Sequence, residues 1–161
     1  MSAPAIEPVL RAGQLIPPLV ARAPDGTPVN AWDYRQKRNL CIAFLHAECA
    51  TCAGYTERLA RRAADFAERD AVALVILPKL LPPGTSLSAP LLLAADPTGK
   101  SHVNFFGKKA ANTGGAGPVG IFLADRYGQL SMQWLCSDAC QLPSPEEILT
   151  GLSQTERAGD G

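Results

Sequence analysis

Residues 39–66 read NLCIAFLHAECATCAGYTERLARRAADF. The stretch opens on an apolar run, Leu40 to Leu45, cut off by His46-Ala47-Glu48. A run of roughly four to eight apolar residues bounded by polar ones suits a buried strand. Cys49-Ala50-Thr51-Cys52 follows, and then Cys52, Tyr55, Leu59, Ala63 and Phe66 recur every three or four residues, the spacing of one helix face. Arg58, Arg61 and Arg62 fall on other faces and read as a solvated side. The two thiols therefore stand where a strand turns into a helix. The first turn of a helix carries unpaired N–H groups and a partial positive charge, which stabilise a thiolate. Two sulfurs one turn apart suit a disulfide that forms and breaks reversibly. Half of a zinc site and a pair of inert buried cysteines stay open as alternatives at this point.

The rest of the composition narrows the class. A chain of 161 residues fits one domain and buries a substantial core. With 47% apolar and 19% charged residues it is globular. Its 15 basic and 15 acidic residues cancel, so nothing argues for nucleic acid or an anionic membrane as partner. The first residues, MSAPAIEPVLRAGQLIPPLV, contain Glu7, Arg11 and several prolines rather than a continuous apolar segment, so a signal peptide is not expected. No run reaches the length of a membrane-spanning helix. A cytoplasmic location is the expectation, and in that compartment five cysteines (Cys41, Cys49, Cys52, Cys136, Cys140) point to catalysis or metal rather than to a structural disulfide framework.

Outward from the central stretch, residues 1–12 read as a flexible arm, 13–155 as one domain and 156–161 as a flexible tail. Asp25-Gly26 between short apolar runs signals an N-terminal β-hairpin. Ala71 to Leu77 reads as a buried strand, the proline-rich 78–90 as a loop, Leu91 to Ala95 as a short strand and Gly99 to Phe106 as a short helix. Pro118 to Ala124, a turn at Asp125 to Gly128 and Gln129 to Leu135 form an antiparallel pair. Ser144-Pro145-Glu146-Glu147 opens a last helix with a capping serine, a proline at the first position and Glu147 completing a capping box. Strands alternating with helices predict an α/β fold whose central strands are parallel, made mixed by the closing hairpin.

On these residues the chain resembles the thioredoxin-like superfamily, most closely its redoxin or AhpC/TSA (peroxiredoxin-like) branch. The resemblance rests on the strand through Phe44 into Cys49 and Cys52. It rests also on the pattern Gly13, Asp25-Gly26, Val29, Asp33-Tyr34-Arg35, Asn39-Leu40, on Pro118 just before a strand, and on the hairpin of Ile121 to Gly128. It implies a thioredoxin-like fold: a central mixed β-sheet flanked by helices, with an N-terminal β-hairpin extension. Two departures stand out. The peroxide-binding signature P-x-x-x-T-x-x-C is absent: counting back from Cys49 places His46 at the threonine and Ile42 at the proline. Thioredoxin's W-C-G-P-C is absent too, and Ala43 replaces the buried aspartate six residues before the first cysteine.

The resemblance implies a thiol–disulfide oxidoreductase. Cys49 attacks a disulfide sulfur, Cys52 resolves the mixed disulfide, and Pro118 is a cis-proline that sets backbone beside the thiols and keeps metal away. No cofactor is implied beyond the redox-active Cys49–Cys52 disulfide, and no metal ligand set is assigned. Glu48 disfavours the Cys49 thiolate, whereas a protonated His46 favours it. His46 is also a candidate for proton transfer in place of the missing aspartate, against the simpler reading of a strand-end residue bonded to backbone. Cys41 reads as a small buried hydrophobe. A strand leaving Pro118 must be answered by one returning to the same end, which brings Cys136 and Cys140 toward the thiols as an ordinary pair, an electron relay or resolving pair, or the second half of a zinc site. The expected partners are protein or small-molecule disulfides, or peroxides, and a reductant such as the thioredoxin or glutathione system. A peroxiredoxin-like thiol peroxidase and a redox-sensing or zinc-binding module are the alternatives.

Overall fold

On strand β3 (Asn39–Phe44) successive side chains point to opposite faces, and both faces are covered. Cys41, Ala43 and Leu45 enter one apolar layer; Leu40, Ile42 and Phe44 enter the other. Strand β4 (Ala71–Leu77) divides likewise, with Ala73 and Val75 on one side and Leu74 and Ile76 on the other. A strand buried on both faces reads as a continuous apolar run, which is why these two segments show no polar alternation. The computed structural model describes residues 6–34, 36–46, 49–79, 82, 84–111, 118–137 and 141–160.

Among the described residues, seven strands form one mixed sheet in the order β2-β1-β5-β4-β3-β6-β7. β3, β4 and β5 (Leu91–Ala95) are parallel. β6 (Val119–Ala124) runs antiparallel to β3, and β7 (Leu130–Cys136) antiparallel to β6. At the far edge the hairpin of β1 (Val20–Arg22) and β2 (Pro28–Asn30) joins β5 through Arg22 opposite Ala95. The expected thioredoxin-like arrangement, a mixed sheet with flanking helices and an N-terminal hairpin, is what the chain adopts.

Helices α1 (Ala50–Ala60), α2 (Ala63–Glu68) and α5 (Pro145–Asp160) cover one face. Helix α3 (Lys100–Phe106), followed by the short α4 (Lys108–Ala111), covers the other. There Phe44, Phe105, Phe106 and Phe122 form a cluster with ring centroids 5.0–5.8 Å apart. Leu10 is buried in the same layer, its carbonyl accepting from Gln133 Nε2 at 2.8 Å.

Two local features differ from expectation. The helical stripe from Cys52 to Phe66 is broken at Arg61–Arg62 into two helices. Arg62 is not a solvated bystander there: its guanidinium bridges Asp65 and Glu146, each at 2.6 Å, tying the start of α2 to α5. At the start of α5 the capping serine and the first-position proline are as expected. Glu147 N–H donates to Ser144 Oγ at 3.2 Å, and Pro145 takes the first helical position.

Candidate functional site: two thiols at the strand-to-helix turn

The parallel strands β3, β4 and β5 all end at one edge of the sheet, where α/β folds carry their chemistry. β3 stops at Phe44 and α1 starts at Ala50, so Leu45, His46 and Cys49 stand between the two at that edge. Cys49 is the N-cap of α1. Its backbone is extended and its sulfur accepts the Cys52 N–H at 3.2 Å, the place usually filled by a serine or aspartate oxygen. Cys52 lies in the first turn with 2% exposure, its sulfur accepting the His46 N–H at 3.3 Å. Cys49 is half-buried and is the more open of the two. Both are thiols; no S–S bond joins them. A side-chain nitrogen of His46 and the two sulfurs all lie within 4.8 Å of one another.

β6 and β7 bring further residues to this edge. Phe44 pairs with Gly120, so antiparallel β6 begins at this edge, with Pro118 just before it. Pro118 is buried. The peptide bond into it involves Gly117, which lies outside the described residues. Cys136, at the end of β7, pairs with Val119, so the returning strand delivers it to the thiol end of the sheet as its direction requires. Cys136 and Cys49 pack against the same apolar layer, and the Cys136 thiol donates to the Gln141 carbonyl at 3.5 Å. Cys140 and Glu48 lie outside the described residues.

Beneath the thiols the layer is apolar. Ala43 is 1% exposed and offers no proton acceptor. Cys41 is fully buried, and burial pushes its thiol up to about 12, so it stays protonated. Tyr55, one turn beyond Cys52, donates its hydroxyl to the Pro143 carbonyl at 2.7 Å, fastening the loop after β7 to α1; burial raises its pKa far above the ordinary range.

Asp96 and His102 escaped the sequence reading. Asp96 follows β5 at the same sheet edge and is 3% exposed. Its carboxylate accepts the Ser101 N–H at 2.8 Å and the Thr98 hydroxyl at 2.8 Å, and lies 3.4 Å from His102 Nδ1. His102 is enclosed by aromatic rings, edge-on to Phe44 at 4.9 Å and stacked on Phe106 at 6.3 Å. Burial lowers its pKa, the Asp96 carboxylate works against that, a positive His46 nearby lowers it further, and the net shift is downward. That direction favours an uncharged imidazole beside the carboxylate over an ion pair. Asp96-Pro97 read as the end of a strand, and a single histidine in a short helix has no spacing that marks it. A shallow concavity lined by Leu15, Trp32, Tyr34, Arg38 and Gly128 sits with Leu40 and Asp125 at the opposite end of β3 and β6, away from this chemistry.

No model of a protein family matches the sequence, and no curated protein sequence matches it. Solved structures do match. A 2-Cys peroxiredoxin of Plasmodium vivax in its reduced form aligns with TM-score 0.73 and 16% identity, over 92% of this chain and 83% of that one. A peroxiredoxin-like protein of Aquifex aeolicus aligns with TM-score 0.69 and 14% identity over 93% and 90%. A protein of Chlorobium tepidum described as the thiol:disulfide interchange protein DsbE aligns with TM-score 0.64 and 16% identity over 91% and 98%. The fold is thus thioredoxin-like, of the form shared by peroxiredoxins and thiol–disulfide interchange proteins. At such identities the likeness speaks for the fold, which hosts many chemistries.

Proposed function

We propose that the protein is a thiol–disulfide oxidoreductase of the redoxin type, working through Cys49 and Cys52. The observation that carries this reading is the N-cap sulfur. Cys49 Sγ accepts a backbone N–H at the positive end of an 11-residue helix, with Cys52 Sγ within 4.8 Å. Both features favour a thiolate that attacks and a neighbour that resolves. Cys49 thiolate attacks one sulfur of a substrate disulfide, an S–S bond forms between Cys49 and that sulfur, and the other substrate sulfur leaves as a thiolate. Cys52 then attacks Cys49 Sγ, forming the Cys49–Cys52 disulfide and releasing the second substrate thiol. One dithiol of the thioredoxin kind, or two molecules of a monothiol such as glutathione, resets the pair by the reverse exchange and leaves as the disulfide. Pro118, just before β6 at the same edge, is the residue expected to line the substrate side, and His46 is the candidate to carry the proton that Ala43 cannot.

The test is turnover of glutathione disulfide and of an insulin disulfide. The expected outcome is activity in the wild type, loss in Cys49→Ser, and a trapped mixed disulfide in Cys52→Ser. Cys41→Ser serves as a control and leaves turnover in place. Full turnover by Cys49→Ser sinks the reading. A peroxide arm is run alongside: stopped-flow oxidation of Cys49 no faster than that of a free thiol assigns the work to disulfides. Persistence of a stable mixed disulfide in Cys136→Ser assigns a resolving role to Cys136.

A further inference from the structure

We propose that His46, Cys49 and Cys52 form a binding site for a thiophilic cation of the Zn2+ or Cu+ kind. Their three ligand atoms, one imidazole nitrogen and two sulfurs, lie within 4.8 Å of one another. Around one zinc ion, with metal–sulfur bonds of about 2.3 Å and metal–nitrogen bonds of about 2.0–2.1 Å, ligand atoms stand roughly 3.5–3.8 Å apart. Closing the triangle therefore takes side-chain shifts on the order of 1 Å. All three ligands come from residues 46–52, a single connection from β3 into α1, so their spacing is set locally.

The donor set selects the ion. Thiolate and imidazole suit zinc and cuprous copper, whereas magnesium and calcium take oxygen. Two backbone N–H groups already point at the sulfurs, His46 N–H at Cys52 and Cys52 N–H at Cys49. Such outer bonds offset part of the charge of metal-bound thiolates and hold them in place. His46 and Cys49 are both partly exposed, which leaves a way in, while Cys52 closes the inner side. Three protein ligands satisfy a trigonal cuprous ion and leave zinc one open position. Loading releases two thiol protons to solvent. The same sulfurs cannot hold an ion and an S–S bond together, so the metal form and the disulfide form are exclusive. Cys136 is not among these ligands, and Cys140 lies outside the described residues.

The test uses the full reduced chain under anaerobic conditions. Zn2+ is titrated against a chromophoric chelator, Cu+ against bicinchoninate, and Co2+ serves as a spectroscopic stand-in for zinc. The expected result is one equivalent bound per chain, a thiolate-to-cobalt charge-transfer band, and protection of Cys49 from alkylation. His46→Ala weakens binding at least tenfold, about 1.4 kcal/mol, as do Cys49→Ser and Cys52→Ser, while Cys136→Ser leaves it unchanged. Substoichiometric binding by the wild type overturns the proposal. Unchanged affinity in His46→Ala, with circular dichroism showing a folded chain, overturns it equally. A chain that binds zinc without exchanging disulfides removes only the oxidoreductase reading, and one that exchanges disulfides without binding metal removes only this one.

Discussion

His102 shows how one side chain couples the site to stability. Enclosed by Phe44 and Phe106, it is held neutral in the fold, whereas in the unfolded chain it takes a proton near its ordinary value of about 6.5. Where the unfolded state binds more protons, stability rises with pH. Acidification through that value therefore favours unfolding. Asp96 opposes the effect and His46, when charged, adds to it. We expect the urea midpoint of the wild type to fall between about pH 7.5 and pH 5.5, and to fall less in His102→Gln. Equal falls in both proteins remove His102 as the source. The same burial logic separates the cysteines. Cys41 is locked as a thiol by the layer around it, while Cys49 is open enough to react.

At the scale of elements, β6 passes very close to its neighbours. Gly120 is the point of closest approach: a Cβ there meets the Trp134 carbonyl oxygen at 2.7 Å and the Phe106 ring at 2.9 Å. The carbonyl belongs to the β7 backbone and cannot swing aside. Gly120→Ala is expected to cost about 1–3 kcal/mol by overpacking, read from the shift in denaturation midpoint. An unchanged midpoint means that β6 and β7 separate more easily than their pairing suggests. Gly151 makes a useful contrast. Its Cβ meets only the ends of Leu123 and Met132, which can turn away, so an alanine there is better tolerated.

Across the whole molecule, the helices on one face are laced together by arginines. Arg69 Nε donates to the Leu149 carbonyl and to Ser153 Oγ, each at 3.0 Å, and its Nη1 to the Asp65 carbonyl at 2.9 Å. These bonds clamp α5 to the end of α2, beside the Arg62 bridge to Glu146. Arg69→Met keeps much of the stem's packing and deletes the clamp. A loss of about 1–2 kcal/mol is expected in urea unfolding. No loss shows that α5 is held by Ile148, Leu149 and Leu152 alone. No helix among the described residues is long and apolar enough to cross a membrane.

Much of this was legible in the chain itself. Continuous apolar runs made β3 and β4, a serine and a proline opened α5, and Asp25-Gly26 turned the N-terminal hairpin, because period, caps and turn chemistry are local. The placing of Cys49 and Cys52 at a strand-to-helix turn was local too. What lies far apart in sequence waited for tertiary structure. Asp96 meets His102 only six residues on, but the pair stands beside the thiol edge only because parallel strands β3 and β5 end on the same side of the sheet. Cys136 comes to that edge only through its pairing with Val119, and Arg69 finds Leu149 only when two helices pack.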